Sequence, residues 1–406
     1  VASRKYVIFL GDGMADRPHP ELGGRTPLQV AYKPNMDRIA REGRTGMLAT
    51  LDSGMETGSD TAHLSLMGYD VAAVSQGRAV LEAASMGVDI PVGSIGMRCN
   101  IICLHPDGRI KNHSAGHITS EESDELLKAL QARVDPARMR FHTGVSYRHL
   151  FVAPGLDHRL VCAPPHDHPN EPHEGLLIKP RVPEAAGTAA QLNDLIRLSQ
   201  QIFADHPVNR ARVAAGKDPG NSIWLWSPGI RPSMWTYPER FGVRGAVISA
   251  VDLIHGIGVY AGLDKITVEG ATGLWNTNYE GKADACLKAL ETRDFVFLHV
   301  EAPDEAGHEG DVKLKVRTIE DFDRRCIGRV LDGIAARGWD AVVAVLPDHA
   351  TPASTRVHAT DPVPFAILDP KQPADAVTGY DETQCQAGAF GSLRGDAFIR
   401  AFFGKP

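Results

Sequence analysis

The stretch Phe295-Val296-Phe297-Leu298-His299-Val300-Glu301-Ala302-Pro303-Asp304-Glu305-Ala306-Gly307-His308 decides the fold. Its first six residues are a continuous strand-like run with almost no polar alternation, which is how a strand buried on both faces of a parallel sheet reads. The run then delivers Asp304 and His308. The same plan recurs twice. Ala341-Val342-Val343-Ala344-Val345-Leu346 leads to Asp348-His349, with His358 beyond, and Tyr6-Val7-Ile8-Phe9-Leu10 ends in Gly11-Asp12-Gly13. Ligands of open α/β sheets bind outside the carboxyl ends of the strands, so the pattern predicts one site at one sheet edge. Asp and neutral His are natural ligands for borderline divalent ions such as Zn²⁺ or Mn²⁺. The expected class is a metalloenzyme.

Each piece taken alone has an ordinary reading. Asp304 can cap a helix with His308 on its surface, Asp348-His349 can be a polar strand-end loop, Asp12 can be a turn residue, and His358 is one of 17 histidines. Turns alone do not account for three strand ends that all offer ligand-type residues. If 304–308 is helical, the spacing of four places Asp304 and His308 on one face. Spacing does not, however, sort these residues into separate sites. A reacting group is offered by Glu56-Thr57-Gly58-Ser59-Asp60-Thr61-Ala62-His63. A Ser59 hydroxyl at a helix start, beside a divalent ion, would have a lowered pKa and could attack phosphorus. Its ordinary role would be an N-cap. Thr57 is the second hydroxyl in reach, and His63 reads either as a phosphate contact or as a structural residue.

Around these motifs the chain of 406 residues is 43% hydrophobic and 23% charged, an ordinary globular composition with length for two domains. Its net charge of -7 offers no basic surplus to neutralise a nucleic-acid backbone. No apolar run reaches the roughly 20 residues that span a bilayer. The polar start shows no signal peptide, so a cytoplasmic location is expected. Six cysteines without a Cys-x-x-Cys pair read as reduced thiols.

Strands at 246–249, 295–300 and 341–346 alternate with helices at 252–260, 281–290 and 312–336, a rhythm that predicts a mostly parallel sheet with helices on both faces. The span 164–183 is rich in Pro and His and reads as irregular loop. Because the first segment and the last half both feed the site, the middle reads as an insertion. Residues 1–89 and 219–406 form a discontinuous core, and 90–218 an inserted α+β domain.

A family resemblance is carried by Val7-Ile8-Phe9-Leu10-Gly11-Asp12-Gly13-Met14-Ala15-Asp16, Leu22-Gly23-Gly24-Arg25-Thr26-Pro27-Leu28 and Gly58-Ser59-Asp60-Thr61-Ala62-His63-Leu64. It continues through Arg78 with Leu81-Glu82-Ala83, Arg98-Cys99-Asn100, Ser114-Ala115-Gly116, Pro164-Pro165-His166-Asp167, Gly270-Ala271-Thr272-Gly273 and Glu301 to His308. Nearly end to end, the chain resembles the cofactor-independent phosphoglycerate mutases of archaeal type, in the alkaline phosphatase superfamily. That resemblance implies an alkaline-phosphatase-like α/β core and two divalent metal ions, Mn²⁺ or Zn²⁺ first, Co²⁺ or Mg²⁺ as alternatives. It implies Asp12, Ser59, Asp348 and His349 around one ion and Asp304, His308 and His358 around the other. It also implies Ser59 as the phosphorylated nucleophile, and an inserted domain that closes over a small phosphorylated substrate. The reaction implied is interconversion of 2- and 3-phosphoglycerate. Neither nucleic acid nor membrane is expected as a partner, and a homo-oligomer is compatible.

Leu81-Glu82-Ala83-Ala84-Ser85-Met86-Gly87-Val88 is also similar to a bacterial branch of the family proposed to act as homoserine kinase, which makes phosphotransfer to homoserine the alternative. No Gly-x-x-x-x-Gly-Lys-Ser/Thr loop accompanies it. A metal-stabilised binding protein is the third class; a hydroxyl beside the acidic ligands speaks against it, since structural sites are closed by protein ligands. Candidate anion contacts are His63, Arg78, Arg98, Arg148, Arg212 and Lys282, although a single Lys or Arg is ordinarily a surface ion-pair residue.

Overall fold

The computed structural model describes residues 4–51, 58–74 and 78–405, the side chain of Arg78 excepted. The chain divides into two compact units, Val1–Ser75 with Ser233–Pro406, and Gln76–Pro232.

The first unit is built on an eight-stranded sheet in the order Asp264–Ile266, Gly245–Ile248, Phe295–Val300, Lys5–Gly11, Ala341–Leu346, Val363–Leu368, Arg44–Ala49, Gly391–Arg394. The first five are mutually parallel; Val363–Leu368 runs antiparallel to both of its neighbours. Lys5–Gly11 sits at the centre, and its register sets the site. Leu10 lies opposite both His299 and Leu346, so the three chains leave the sheet together at one edge. Side chains alternate between faces. Val7, Phe9, Val296, Leu298, Val343 and Val345 join a core with the helices Pro34–Glu42, Tyr279–Leu290 and Gly328–Ala336. Phe295 faces the other way and stacks on Tyr237 at 5.2 Å between ring centroids, beside Phe402 and Phe403. Burying a large aromatic of this kind stabilises by roughly 1.5–3 kcal/mol.

The helix expected across 312–336 is interrupted. Val312–Asp321 passes through a π-turn, Phe322–Ile327, before Gly328–Ala336. The wider turn carries Asp323 inward, where its carboxylate accepts the amides of Asn35 at 3.2 Å and Met36 at 2.7 Å. Those are orphan donors at the start of Pro34–Glu42, so the irregularity caps a neighbouring helix. Tyr279–Leu290 begins ahead of the expected 281 because Asn278 caps it, accepting Gly281 N–H at 2.8 Å.

The second unit is an antiparallel sheet centred on Ser94–Leu104, which pairs with Arg148–Pro154 on one side and Ser222–Ile230 on the other. Helices Ser120–Gln131 and Ala186–Phe203 bury Leu126, Leu130, Leu192 and Ile196 in its core. The boundaries expected at 89/90 and 218/219 therefore shift outward. Ile223 to Trp226 looks like one more core strand, but it completes the second sheet by pairing with Asn100 and its neighbours. Helix Arg78–Ser85 packs on the same strands. Among the described residues, no helix is long and apolar enough to cross a membrane.

His149, on the second sheet, is 3% exposed, and its Nδ1 accepts Gly144 N–H at 3.1 Å. Burial pushes its imidazole down to about 4. The unfolded chain takes up this proton near the ordinary histidine value of about 6.5, while the folded chain resists until about 4. Stability is thus fully present above about pH 6.5 and declines as pH falls towards 4, by up to roughly 3 kcal/mol. Urea unfolding followed between pH 7 and 4 is expected to show this loss, and His149→Gln is expected to flatten that part of the profile.

Candidate metal centre

Three loops at the carboxyl edge of the first unit's sheet converge. Asp12 follows Gly11, and Gly13 turns the chain at φ +57°, where a Cβ would collide with Asp304 Oδ1 and Thr351 Oγ1. The amide of Gly13 donates to Asp348 Oδ1 at 3.0 Å. Ser59 is the first residue of helix Ser59–Leu66, whose N-cap is Gly58. Ser59 is therefore not the cap, and its Oγ lies 3.2 Å from His349 Nε2. One turn on, His63 is fully buried; its Nδ1–H donates to the Ser59 carbonyl at 2.7 Å and lies 3.3 Å from Asp348 Oδ2. Thr57 lies outside the described residues.

Asp304 and His308 do share one face of a helix, Ala302–Glu309. His308 Nε2 is 3.1 Å from Asp304 Oδ2, His358 Nε2 is 3.6 Å from Asp304 Oδ1, and the two Nε2 atoms are 3.0 Å apart. His349 stacks on His358 at 3.8 Å between centroids, and its Nε2 faces Asp348 Oδ2 at 3.1 Å and Asp12 Oδ1 at 3.5 Å. Neighbouring groups fix which ring nitrogen is free. Thr351 Oγ1 donates to Asp304 Oδ1 at 2.5 Å and so accepts from His349 Nδ1–H at 3.1 Å. His308 Nδ1–H donates to the Arg356 carbonyl at 2.9 Å. Both rings thereby turn Nε2 into the cleft, the nitrogen that would meet a metal ion once it carries no proton.

Asp12, Asp304 and Asp348 are buried, and Glu301 is nearly so. Among the described residues, no Arg or Lys pairs with any of them; their only ionic neighbours are histidines. Burial pushes Asp12 well up, with Asp348 and Glu301 adding to the effect. Burial and the charge of Asp304 lift Glu301 to about 7. At Asp304 burial acts in the same direction but is outweighed by His308 and His358, and at Asp348 by His349 and His63, so both stay below the usual carboxylate range. Asp304 in turn raises His308 to about 9. Buried lone pairs remain without a donor at Asp12 Oδ1, Asp348 Oδ2, His63 Nε2 and Glu301 Oε2. Crowded carboxylates and orphaned acceptors destabilise a fold unless cations neutralise them, and the donor set is one that divalent ions accept. The residues fit two ions. Asp304, His308 and His358, and separately Asp12, Asp304 and His349, bring their ligand atoms within 4.8 Å of one another. A third group, Asp12, His63 and His299, meets the same distance.

Several residues of the centre are not singled out by sequence spacing. His299 and Glu301 flank Asp12, Thr351 links Asp304 to His349, and Lys315 lies beneath. The fully buried Lys315 ammonium donates to Asp16 Oδ2 at 2.9 Å, Ala15 O at 3.1 Å and Thr351 O at 2.7 Å, tying two ligand loops together. His299 carries a visible signal, a lone imidazole inside an apolar strand.

The candidate anion contacts divide. Lys282 is fully buried, its ammonium donating to the His299 carbonyl at 2.9 Å, so it supports a strand end and is not available to a substrate. Burial lowers it to about 8. Arg212 is also withdrawn: 2% exposed, it is held by Glu122, by the Ala115 carbonyl at 2.7 Å and by the Asp218 carbonyl at 2.7 Å. Arg98 and Arg148 line a cavity of about 340 Å³ in the second unit with Asn100, Tyr147, His149 and Trp226. Arg98 stacks on Trp226 at 4.6 Å with one edge engaged by Glu82, and Arg148 lies over Tyr147 at 5.2 Å. The side chain of Arg78 lies outside the described residues.

Residues 40–209 match the family model of 2,3-bisphosphoglycerate-independent phosphoglycerate mutase. The chain is 47% identical over 398 residues to the 2,3-bisphosphoglycerate-independent phosphoglycerate mutase of Methanosarcina acetivorans, covering 97% of this chain and 98% of that protein. It is 46% identical over 387 residues to a probable mutase of the same name from Geobacter sulfurreducens, covering 94% and 95%. Among solved structures, the PH0037 protein from Pyrococcus horikoshii superposes with a TM-score of 0.80 at 30% identity, covering 100% of this chain and 99% of that one. The cofactor-independent phosphoglycerate mutase from Thermoplasma acidophilum gives 0.74 at 28% identity, covering 99% of each. The fold is α/β and alkaline-phosphatase-like, with a largely parallel core sheet and an additional α+β unit. Near-complete coverage at this identity places the chain in the family of cofactor-independent phosphoglycerate mutases.

Proposed function

We propose that this chain interconverts 2- and 3-phosphoglycerate through a phosphoserine at Ser59. The observation that carries the reading is the hydroxyl of Ser59, free of any capping role and 3.2 Å from His349 Nε2, at the rim of the orphaned carboxylate oxygens. Asp12, Ser59, Asp348 and His349 would hold one divalent ion, and Asp304, His308 and His358 the other. Bound there, the ions lower the pKa of a nearby hydroxyl and neutralise phosphoryl oxygens.

The chain's own groups do the rest. Amides of the first turn of Ser59–Leu66 lack intrahelical partners and favour negative charge beside Ser59. The Ser59 oxygen bonds to phosphorus as the bond to one glycerate oxygen breaks, and that oxygen takes up a proton. The other glycerate hydroxyl then attacks the phosphoserine and releases Ser59. Glycerate has to stay bound and shielded from water between the two transfers, or the phosphoserine hydrolyses. The second unit is the substrate-closing part in this reading. Arg98 and Arg148 receive the substrate carboxylate, for which the planar guanidinium fork is suited.

Metal analysis of the purified chain is expected to give about two divalent ions, and Asp304→Ala or His358→Ala one fewer. Activity that survives a chelator, in protein without bound metal, would sink the two-ion reading. Ser59→Ala is expected to reduce turnover at least roughly 1000-fold with the fold retained, and brief incubation of the unmutated chain with substrate should leave a phosphoserine detectable by mass spectrometry. The unmutated enzyme should convert 3- to 2-phosphoglycerate without added 2,3-bisphosphoglycerate and release little free phosphate. Arg98→Met should raise the ratio of hydrolysis to transfer. Phosphorylation of homoserine from ATP, with no mutase activity under Mn²⁺, Zn²⁺ or Co²⁺, would establish the kinase alternative.

A further inference from the structure

His299 is fully buried at the end of a central strand and belongs to no ligand set assigned above. Its surroundings are unusually determinate. Ser249 Oγ accepts Val251 N–H at 2.9 Å and lies 2.9 Å from His299 Nδ1. On the other side of the ring, Nε2 faces Asp12 Oδ2 at 2.8 Å and Glu301 Oε2 at 3.3 Å. The 2.8 Å contact with Asp12 Oδ2 is a hydrogen bond, and once Asp12 is ionised, as a cation at its other oxygen requires, the proton in that bond has to sit on Nε2. With that proton on Nε2, the Ser249 hydroxyl donates to Nδ1, while Glu301 Oε2 stays without a donor. The backbone is fixed as well, since Lys282 donates to the His299 carbonyl at 2.9 Å.

We propose that His299 is a positioning residue for the Asp12 carboxylate, held in one tautomer by Ser249, and not itself a metal ligand. Its Nε2–H occupies Asp12 Oδ2. The other oxygen, Oδ1, has no hydrogen-bond donor and lies 3.5 Å from His349 Nε2, on the side of Ser59. Asp12 is thereby oriented before a cation arrives, with one oxygen used by the protein and one presented. Losing such an outer hydrogen bond typically weakens metal affinity 10–100-fold. Proximity alone would make His299 a ligand with Asp12 and His63. The hydrogen-bond roles assign it differently, because a nitrogen that carries a proton has no lone pair for a metal. This inference rests on the two-ion reading of the centre.

The test is Mn²⁺ titration of the full-length chain by calorimetry, with circular dichroism to confirm folding. The unmutated chain should bind two ions. His299→Leu should weaken one of them by about 10–100-fold and leave the other, held by Asp304, His308 and His358, unchanged. His299→Gln, whose amide N–H reaches close to the position of Nε2, should return the affinity to within a few-fold of the original. Ser249→Ala, a smaller change that the fold tolerates more easily, should weaken the same ion by several-fold. Turnover in His299→Leu should recover at saturating Mn²⁺, as expected of a group that orients a ligand. Two ions bound with unaltered affinity in His299→Leu and Ser249→Ala would overturn the inference alone. So would three ions in the unmutated chain with one lost in His299→Leu, which would make His299 a ligand. No ion in the unmutated chain would overturn both the inference and the two-ion reading.

Discussion

Like-charge repulsion inside a buried cleft is the constraint on which this molecule turns. Asp12, Asp304, Asp348 and Glu301 converge where water is largely excluded, and no Lys or Arg among the described residues pairs with them. Carboxylates so placed are costly unless compensated. The fold supplies its own cations just beyond reach. Lys315 is committed to Asp16 and two carbonyls, and Lys282 to the carbonyl of His299. Each holds backbone in place and leaves the acidic cluster uncompensated. The histidines offset Asp304 and Asp348 only, and orphaned oxygens remain at Asp12, Asp348 and Glu301, which is why the centre reads as a receptor for divalent ions and not as a salt-bridge network.

The same economy of hydrogen bonds sets the imidazoles. Thr351 spends its proton on Asp304 and so takes one from His349, and the Arg356 carbonyl takes one from His308. In both rings Nδ1 is spoken for and Nε2 faces the cleft. At His299 the pattern inverts, because Ser249 feeds Nδ1 and Nε2 is left to donate. Residues that look interchangeable as candidates are thus separated by their outer partners, and the separation follows from counting protons on hydroxyls with one hydrogen each.

Much of the core was legible in the sequence because its signals are local. A buried parallel strand announces itself by an unbroken apolar run, and ligand residues at its end are adjacent in sequence, so Asp12, Asp304, His308, Asp348 and His349 stand out without knowledge of the fold. The arginines were not legible, because whether a guanidinium is free depends on partners far away in the chain. Arg212 is taken by Glu122 and by carbonyls that only the folded second unit brings near. Lys282 lies on a helix whose inward face buries Ala283 and Cys286, and only packing shows that the lysine turns in with them. The extent of the second unit was not legible for a related reason. Ile223 to Trp226 carries the same apolar signature as a core strand, and antiparallel pairing with Ser94–Leu104 is a long-range fact.

The placing of Ser59 costs the helix little stability. Serine is among the best N-caps, and a helix starting at this point would ordinarily use it so. Here the cap position falls to Gly58, one residue earlier, and glycine at an N-cap costs only a few tenths of a kcal/mol relative to serine. That shift of one residue moves the hydroxyl from the backbone amides to within 3.2 Å of His349 Nε2. It also leaves the first-turn amides without a side-chain acceptor, at the end of the helix where a phosphoryl group would be stabilised. In the proposed reaction a single choice of register would thus provide both a nucleophile and an anion-binding helix terminus, beside the cleft where Asp12, Asp304 and Asp348 converge.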